Sequence, residues 1–186
     1  MRKHIITLCG LPGSGKSSTA DKVAQALGYE RFSGGDFMRE VGRRRGLSID
    51  QTNVAAIEEP SFDQEVDDAI RSAGERENLV IDSRTAFYFI PGSFKVFLKL
   101  DPRIAAERTF EQIKNEGRIA QDGGSLEEVY RKLLVRIHNE RTRYKTKYGF
   151  DYLNETQFDL VINTADHPLE EVVKIILEKY KAWETN

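Results

Sequence analysis

The apolar positions of this chain change period several times from one end to the other. His4 to Cys9 (H-I-I-T-L-C) is a short, largely apolar run, the pattern of a strand covered on both faces. From Lys16 to Leu27, the apolar residues Ala20, Val23, Ala24 and Leu27 recur at helical spacing, and Gly28 supplies a stop. Glu77–Asp82 (E-N-L-V-I-D), Phe94–Leu100 (F-K-V-F-L-K-L) and Phe158–Asn163 (F-D-L-V-I-N) read as further strands, with helices between them. In the last helix Leu169, Val172, Val173, Ile176, Tyr180 and Trp183 mark one apolar face. Strands alternating with helices predict an α/β fold, a three-layer α/β/α sandwich on a five-stranded parallel sheet. One domain over 1–186 is expected, with core segments 1–32, 76–113 and 126–186. Residues 33–75, mostly helical, and 114–125, polar and glycine-bearing, break the alternation. Both read as insertions over one end of the sheet, where α/β proteins bind ligands.

A further helix carries two stripes. Arg136, Glu140, Arg143 and Lys147 share one face, and Leu133, Ile137, Tyr144 and Tyr148 form the adjacent apolar one. Ser125 and Glu128 read as a capping box at its start. The alternative reading of the charged stripe is a solvated ladder of i,i+4 pairs.

Composition narrows the setting. Hydrophobic content of 39% and charged content of 31% fit an ordinary soluble globular protein. The apolar runs are too short to span a bilayer, and the one after Met1-Arg2-Lys3 stops at Gly10, too early for an export signal. A cytoplasmic protein is expected, without membrane partners and as a monomer. Cys9 is the only cysteine, so no internal disulfide forms, and it reads as a small buried hydrophobe. A net charge of −2 offers no global field for nucleic acid, so anion binding must rest on local arginines and lysines. His4, His138 and His167 show no metal-ligand spacing.

Gly10-Leu11-Pro12-Gly13-Ser14-Gly15-Lys16-Ser17 fits G-x-x-x-x-G-K-[ST] without a mismatch, between the predicted first strand and first helix. The glycines let backbone N–H groups turn inward around phosphate oxygens at a helix N-terminus. Lys16 is the group that reaches the β- and γ-phosphates, and it is expected to face solvent when no nucleotide is bound. The Ser17 hydroxyl is the Mg²⁺ ligand, and Ser18 completes the ATP-binding run. This pattern predicts a nucleotide-binding protein and leaves the acceptor open.

Ser33-Gly34-Gly35-Asp36-Phe37-Met38-Arg39, after the second strand, resembles the S-[TA]-G-[DE]-x-[LF]-R signature of nucleoside monophosphate kinases. That resemblance implies acceptor-binding roles for Ser33, Gly35, Asp36 and Arg39. With the loop form G-L-P-G-S-G-K-S-S, it looks especially like the archaeal-type cytidylate kinases. Ile81-Asp82-Ser83-Arg84, followed by F-I-P-G-S-F-K-V-F-L, resembles the family's D-G-R segment, whose arginine grips the CMP phosphate; here that is Arg84. Arg136 to Tyr144, then Y-G-F-D and F-D-L-V-I-N-T, is similar to the family's R-x-x-x-E-x-x-R-Y helix and terminal strand. The resemblance runs through nearly the whole chain. It departs at Ser83, where the family often has glycine, and in extra residues around Gln121-Asp122-Gly123-Gly124. It implies a P-loop kinase fold, an acceptor-binding insertion near 33–75, a lid near 114–125, ATP with Mg²⁺, and CMP or dCMP as acceptor. Asp63 and Asp67 lie where the archaeal type carries similar acids, though a structural role is the plainer reading of both.

The residue types suit that chemistry. A monophosphate is mostly ionised near neutrality, so it attacks directly and needs cations rather than a base. Arg39 and Arg84 supply bidentate contacts to the acceptor, and Lys16, Arg136 and Arg143 offset charge on the phosphoryl group in flight. Arg108 is placed to reach ATP phosphates, or to cap its own helix. Asp82 either holds Mg²⁺ through water or caps a turn, and Arg43-Arg44-Arg45 is more simply a wet helix face. The rivals are adenylate kinase, a hydroxyl kinase of the shikimate or gluconate type with Asp36 as base, and a non-catalytic nucleotide switch.

Overall fold

Strand and helix alternate as the apolar periods predict. The computed structural model describes residues 3–115 and 124–185. Among them the order is β1 (Ile5–Gly10), α1 (Lys16–Leu27), β2 (Glu30–Ser33), α2 (Gly34–Arg44), α3 (Ile49–Glu58), α4 (Pro60–Ala73), β3 (Leu79–Asp82) and α5 (Ala86–Phe89). There follow β4 (Phe94–Lys99), α6 (Pro102–Asn115), α7 (Leu126–Tyr148), β5 (Leu160–Asn163) and α8 (Leu169–Thr185). The sheet runs β2-β3-β1-β4-β5, all parallel.

Parallel strands bury both faces, so their side chains divide by period two between the layers. On one face Ile6, Leu8, Val80, Val96 and Leu98 pack against Ala20 and Val23 of α1 and Val172, Ile176 and Tyr180 of α8. On the other, Cys9 and Phe97 meet Ala105 and Ala106 of α6 and Leu133, Ile137 and Tyr144 of α7. Beside them Ile5, Leu79 and Ile81 pack on Val66 and Ile70 of α4. Burial pushes the Cys9 thiol up to about 12, which leaves it an inert small hydrophobe.

Element ends differ from the sequence pattern for local reasons. β1 extends to Gly10, whose partner in the ladder is Leu98. β3 begins only at Leu79, because Asn78 adopts φ +60° and the Glu77 carboxylate accepts the His4 N–H instead. The cap of α7 is half a capping box. Ser125 Oγ accepts from the Glu128 N–H, while the Glu128 carboxylate takes the N–H of Gly124 rather than that of Ser125. Of the expected lid, residues 116–123 lie outside the described residues. Segment 33–75 carries α2, α3 and α4, with α2 capped by Ser33 Oγ. No helix among the described residues is long and apolar enough to cross a membrane.

Ile176 sits at 0% exposure where α8 meets the sheet. Ile176→Ala should cost about 2–5 kcal/mol in denaturant unfolding, whereas Lys174→Ala, on the wet side of α8, should stay within about 0.5 kcal/mol. Similar losses in both variants would contradict the packing of this layer.

Candidate active site

The C-terminal ends of β1 and β3, the N-termini of α1 and α2, and the inner face of α7 enclose a cleft of ≈ 400 Å³. Its floor is the loop between β1 and α1. Gly10 has φ +149°, and a Cβ there would lie 2.4 Å from the Leu98 carbonyl oxygen. At Gly13, φ is +78° and a Cβ would lie 2.6 Å from that of Ala105. Both positions demand glycine, and the loop can pack this closely on β4 and α6 for that reason. α1 begins immediately after it, so its first N–H groups and its positive dipole end face the cleft.

Lys16 does not project into solvent as its place in the loop suggests. Its Nζ donates to the Leu11 carbonyl at 2.7 Å and is half-buried. Burial, helped by the nearby Arg84 charge, lowers its pKa to about 8. Ser17 Oγ donates to Asp82 Oδ2 at 2.8 Å. This hydroxyl and carboxylate are hard oxygen donors of the kind Mg²⁺ takes, with the remaining shell left to water and phosphate. The donor set therefore fits the ion.

Arg84 follows β3 and points back under α7, where its Nε lies 2.9 Å from Glu140 Oε2. Glu140 also accepts from Arg136 Nε at 2.9 Å and from the Tyr152 hydroxyl at 3.2 Å. Its side chain is only 8% exposed, so the charged stripe of α7 is no solvated ladder. Burial opposes the Glu140 charge, but Arg84, Arg136 and Arg143 together hold its carboxyl below the usual range. Burial likewise opposes the Arg84 charge, and Glu140 foremost outweighs it, raising an already high pKa.

One turn further along α7, Arg143 Nε lies 3.3 Å from Asp63 Oδ2 on α4. Lys147 approaches Asp63 at 3.8 Å and Asp67 at 3.5 Å, and the Tyr148 hydroxyl donates to Asp67. Both acids line the cleft, and burial raises both pKa values against the pull of these partners.

Most of the residues singled out from the sequence line this one cleft: Pro12, Gly13, Gly15, Lys16, Ser17 and Ser18 from the loop, then Ser33, Gly35 and Arg39. Asp82, Arg84, Arg108, Arg136 and Arg143 complete that set. Gly10, Leu11 and Ser14 lie buried beneath the loop instead. Asp36 stands outside the lining. Arg39 and Arg31 pair with it, and against the cost of burial they hold its carboxyl below the usual range. The Ser33 hydroxyl is spent on capping α2. Arg108 donates to the Thr164 carbonyl at 2.7 Å, which ties α6 to the loop after β5. Sequence reasoning missed Arg31 and underrated Glu140, Asp63 and Asp67. An acid in register with the apolar stripe of α7 was the one available signal for Glu140.

Sheet order, phosphate loop and cleft together define a P-loop kinase fold. Comparison with known proteins agrees. A family model described as an AAA domain matches residues 9–127. The cytidylate kinase of Desulfurococcus amylolyticus is 33% identical over 94% of this chain and 92% of its own length. The S-adenosylmethionine-dependent nucleotide dehydratase of Lacinutrix mariniflava is also 33% identical over 96% of this chain, but the chain spans only 36% of that protein. Among solved structures, shikimate kinase from Bacteroides thetaiotaomicron superposes with TM-score 0.68 over 95% of this chain and 98% of that one; at 18% identity, this likeness concerns the fold alone. The chain belongs to the nucleoside monophosphate kinase family of P-loop kinases, beside the archaeal cytidylate kinases, and it is a phosphotransferase.

Glu140→Gln should cost about 3–5 kcal/mol in urea unfolding at neutral pH, because it leaves Arg84 buried without its carboxylate. A lowered folded-state pKa contributes stability that is complete above the ordinary glutamate value of 4.5 and is lost as pH falls through the lowered one. The gap between variant and wild type should therefore narrow in acid. A gap independent of pH would assign Glu140 a packing role only.

Proposed function

We propose that this protein transfers the γ-phosphoryl group of ATP to CMP or dCMP, giving the diphosphate and ADP. The reading has ATP on residues 10–18 and the acceptor phosphate between Arg39 and Arg84, with 33–75 the acceptor-binding insertion and 114–125 the lid. Ser17 and Asp82 hold Mg²⁺, which when bound offsets charge on the donor phosphates. The enzyme works as a cytoplasmic monomer.

One observation carries the choice of a phosphate over a hydroxyl acceptor. Among the described residues, each carboxylate lining the cleft already has a cation or hydroxyl partner: Asp63 and Asp67 the side chains of α7, Asp82 Ser17, and Glu140 its two arginines. Asp36, the candidate base, is held by Arg39 and Arg31 below the ordinary carboxylate range, which makes it a weak proton acceptor. A cleft whose described residues are rich in arginine and short of a free base suits an acceptor that is itself an ionised nucleophile. The choice of cytosine rests on the cytidylate kinase relatives.

In this mechanism Lys16 leaves the Leu11 carbonyl for the donor phosphates. Arg39 and Arg84 orient the acceptor oxygen in line, and Arg136 and Arg143 stabilise charge on the group in transfer. The acceptor arrives ionised, so no side chain removes a proton.

A panel of acceptors with ATP tests the assignment. CMP and dCMP should turn over, and turnover with shikimate or gluconate but not with monophosphates would reverse it. Asp36→Asn should keep most of kcat, whereas loss of a general base costs about 10²–10⁴ in rate. Arg39 is half exposed, so Arg39→Ala should fold and lose about ten- to a hundredfold in acceptor kcat/KM, with ATP KM little changed. Equal damage to both substrates would contradict the division of the cleft.

ATP binding should also depend on pH. Lys16 in the free protein is half deprotonated near pH 8, and the bound phosphates favour the charged form. Calorimetry above that pH should show weakening affinity and proton uptake on binding. Lys16→Met should abolish the uptake.

A further inference from the structure

Arg31 stands on β2 two residues before Ser33, on the same face as Val80 and Asp82 of the neighbouring β3. Three carboxylates from three elements surround its guanidinium. Nη1 lies 3.2 Å from Asp21 on α1, and Nη2 lies 3.5 Å from both Asp36 at the start of α2 and Asp82 at the end of β3. Its Nε is buried without a hydrogen-bond partner. Asp82 Oδ2 is the oxygen that also accepts from Ser17, and Asp36 is the acid that holds Arg39. A single guanidinium therefore joins the phosphate-loop end of the cleft to the acceptor end, in the chain Ser17, Asp82, Arg31, Asp36, Arg39.

We infer that Arg31 is a positioning residue that couples donor binding to acceptor binding. Resting on the proposed roles of Asp82 and Arg39, it acts through the sharing of one positive charge between two acids. While Asp82 has no other cation, Arg31 divides its attraction between Asp82 and Asp36. A divalent cation at Ser17 and Asp82 displaces Arg31 from Asp82 by competing for the carboxylate and by repulsion. Arg31 then belongs to Asp36 and Asp21. Better compensated by Arg31, Asp36 holds Arg39 less firmly, and Arg39 is free to turn to an acceptor phosphate. By linkage, acceptor binding must favour the metal–nucleotide complex by the same factor.

Equilibrium binding tests this without turnover. In wild type, Mg²⁺ with a non-hydrolysable ATP analogue should tighten CMP binding by about tenfold in calorimetry. In Arg31→Gln that factor should fall below about twofold. The nucleotide-free variant should also bind Mn²⁺ several-fold more tightly, read by electron paramagnetic resonance, since the competing guanidinium is gone. Arg31→Lys keeps the charge on a single nitrogen, which reaches one acid but does not bridge two. It should restore weak Mn²⁺ binding and leave the coupling lost, and it decides the matter alone if Arg31→Gln does not fold. Equal coupling factors in wild type and variants, or unchanged Mn²⁺ affinity in Arg31→Gln, would overturn the inference. If wild type binds no monophosphate, the acceptor assignment fails, and the Mn²⁺ comparison still decides the place of Arg31 against Asp82.

Discussion

A carboxylate taken out of water must be met by cations, and Glu140 is met by two. An isolated buried charge is costly by several kcal/mol, so neither Glu140 nor Arg84 is tolerable at its depth without the other. Their contact fixes α7 against the end of β3, and with it the wall of the cleft. It also keeps Arg84 charged and aimed. In the pairs of Arg84 and Arg136 with Glu140, and of Arg143 with Asp63, the carboxylate sits against Nε. A carboxylate on the Nε side leaves the terminal nitrogens of Arg84 and Arg136 for the fork geometry that phosphate accepts, whereas Arg143 also donates from Nη2 to the Tyr144 hydroxyl. The acids of the cleft are thus the supports of its cations, and the cleft can be rich in both without being neutralised for its purpose.

The phosphate loop depends on the opposite kind of constraint, namely the absence of side chains. Gly10 and Gly13 press the loop against the carbonyls of Leu98 and Ala105 at distances no Cβ tolerates. This seats the start of α1 directly above the end of β1. The fold brings the helix dipole to the cleft through backbone alone, and Lys16 then adds its own charge, lowered in pKa by the burial that the tight seat imposes.

Most of the fold was legible because it is local. α1 spans Lys16–Leu27 and stops at Gly28 in a left-handed conformation, as the apolar spacing and the glycine predict. The last apolar face is the one α8 buries, at Val172, Val173, Ile176 and Tyr180. The loop and the S-x-G-D-x-x-R segment were legible for the same reason, since a run of neighbouring residues carries each. What escaped was the long-range pairing of charges. Asp63 and Arg143 are 80 residues apart in the sequence, and no periodicity links α4 to α7. Glu140 looked like one rung of a surface ladder, because a charged stripe shows the same spacing whether water or protein covers it. Arg31 lies in a four-residue edge strand, E-R-F-S, too short for its alternation to declare a face.

In the proposed reaction these pairings also set how tightly an anionic ligand is gripped. A hydrogen bond to a charged group contributes about 1.5–3 kcal/mol net, but only if the cation was otherwise solvated. Arginines already paired with Glu140, Asp63 or Asp36 offer a phosphate only the difference between two partners. That lowers ground-state affinity and spares the cost of ordering the side chains. The difference grows where charge accumulates, because the paired acids are fixed in place while the phosphoryl group in transfer spreads its charge over three equatorial oxygens. In the proposed phosphoryl transfer, a site built from pre-paired guanidinium groups would therefore favour the transition state over the bound substrates. Buried carboxylates beneath the arginines serve that differential better than arginines standing free in water.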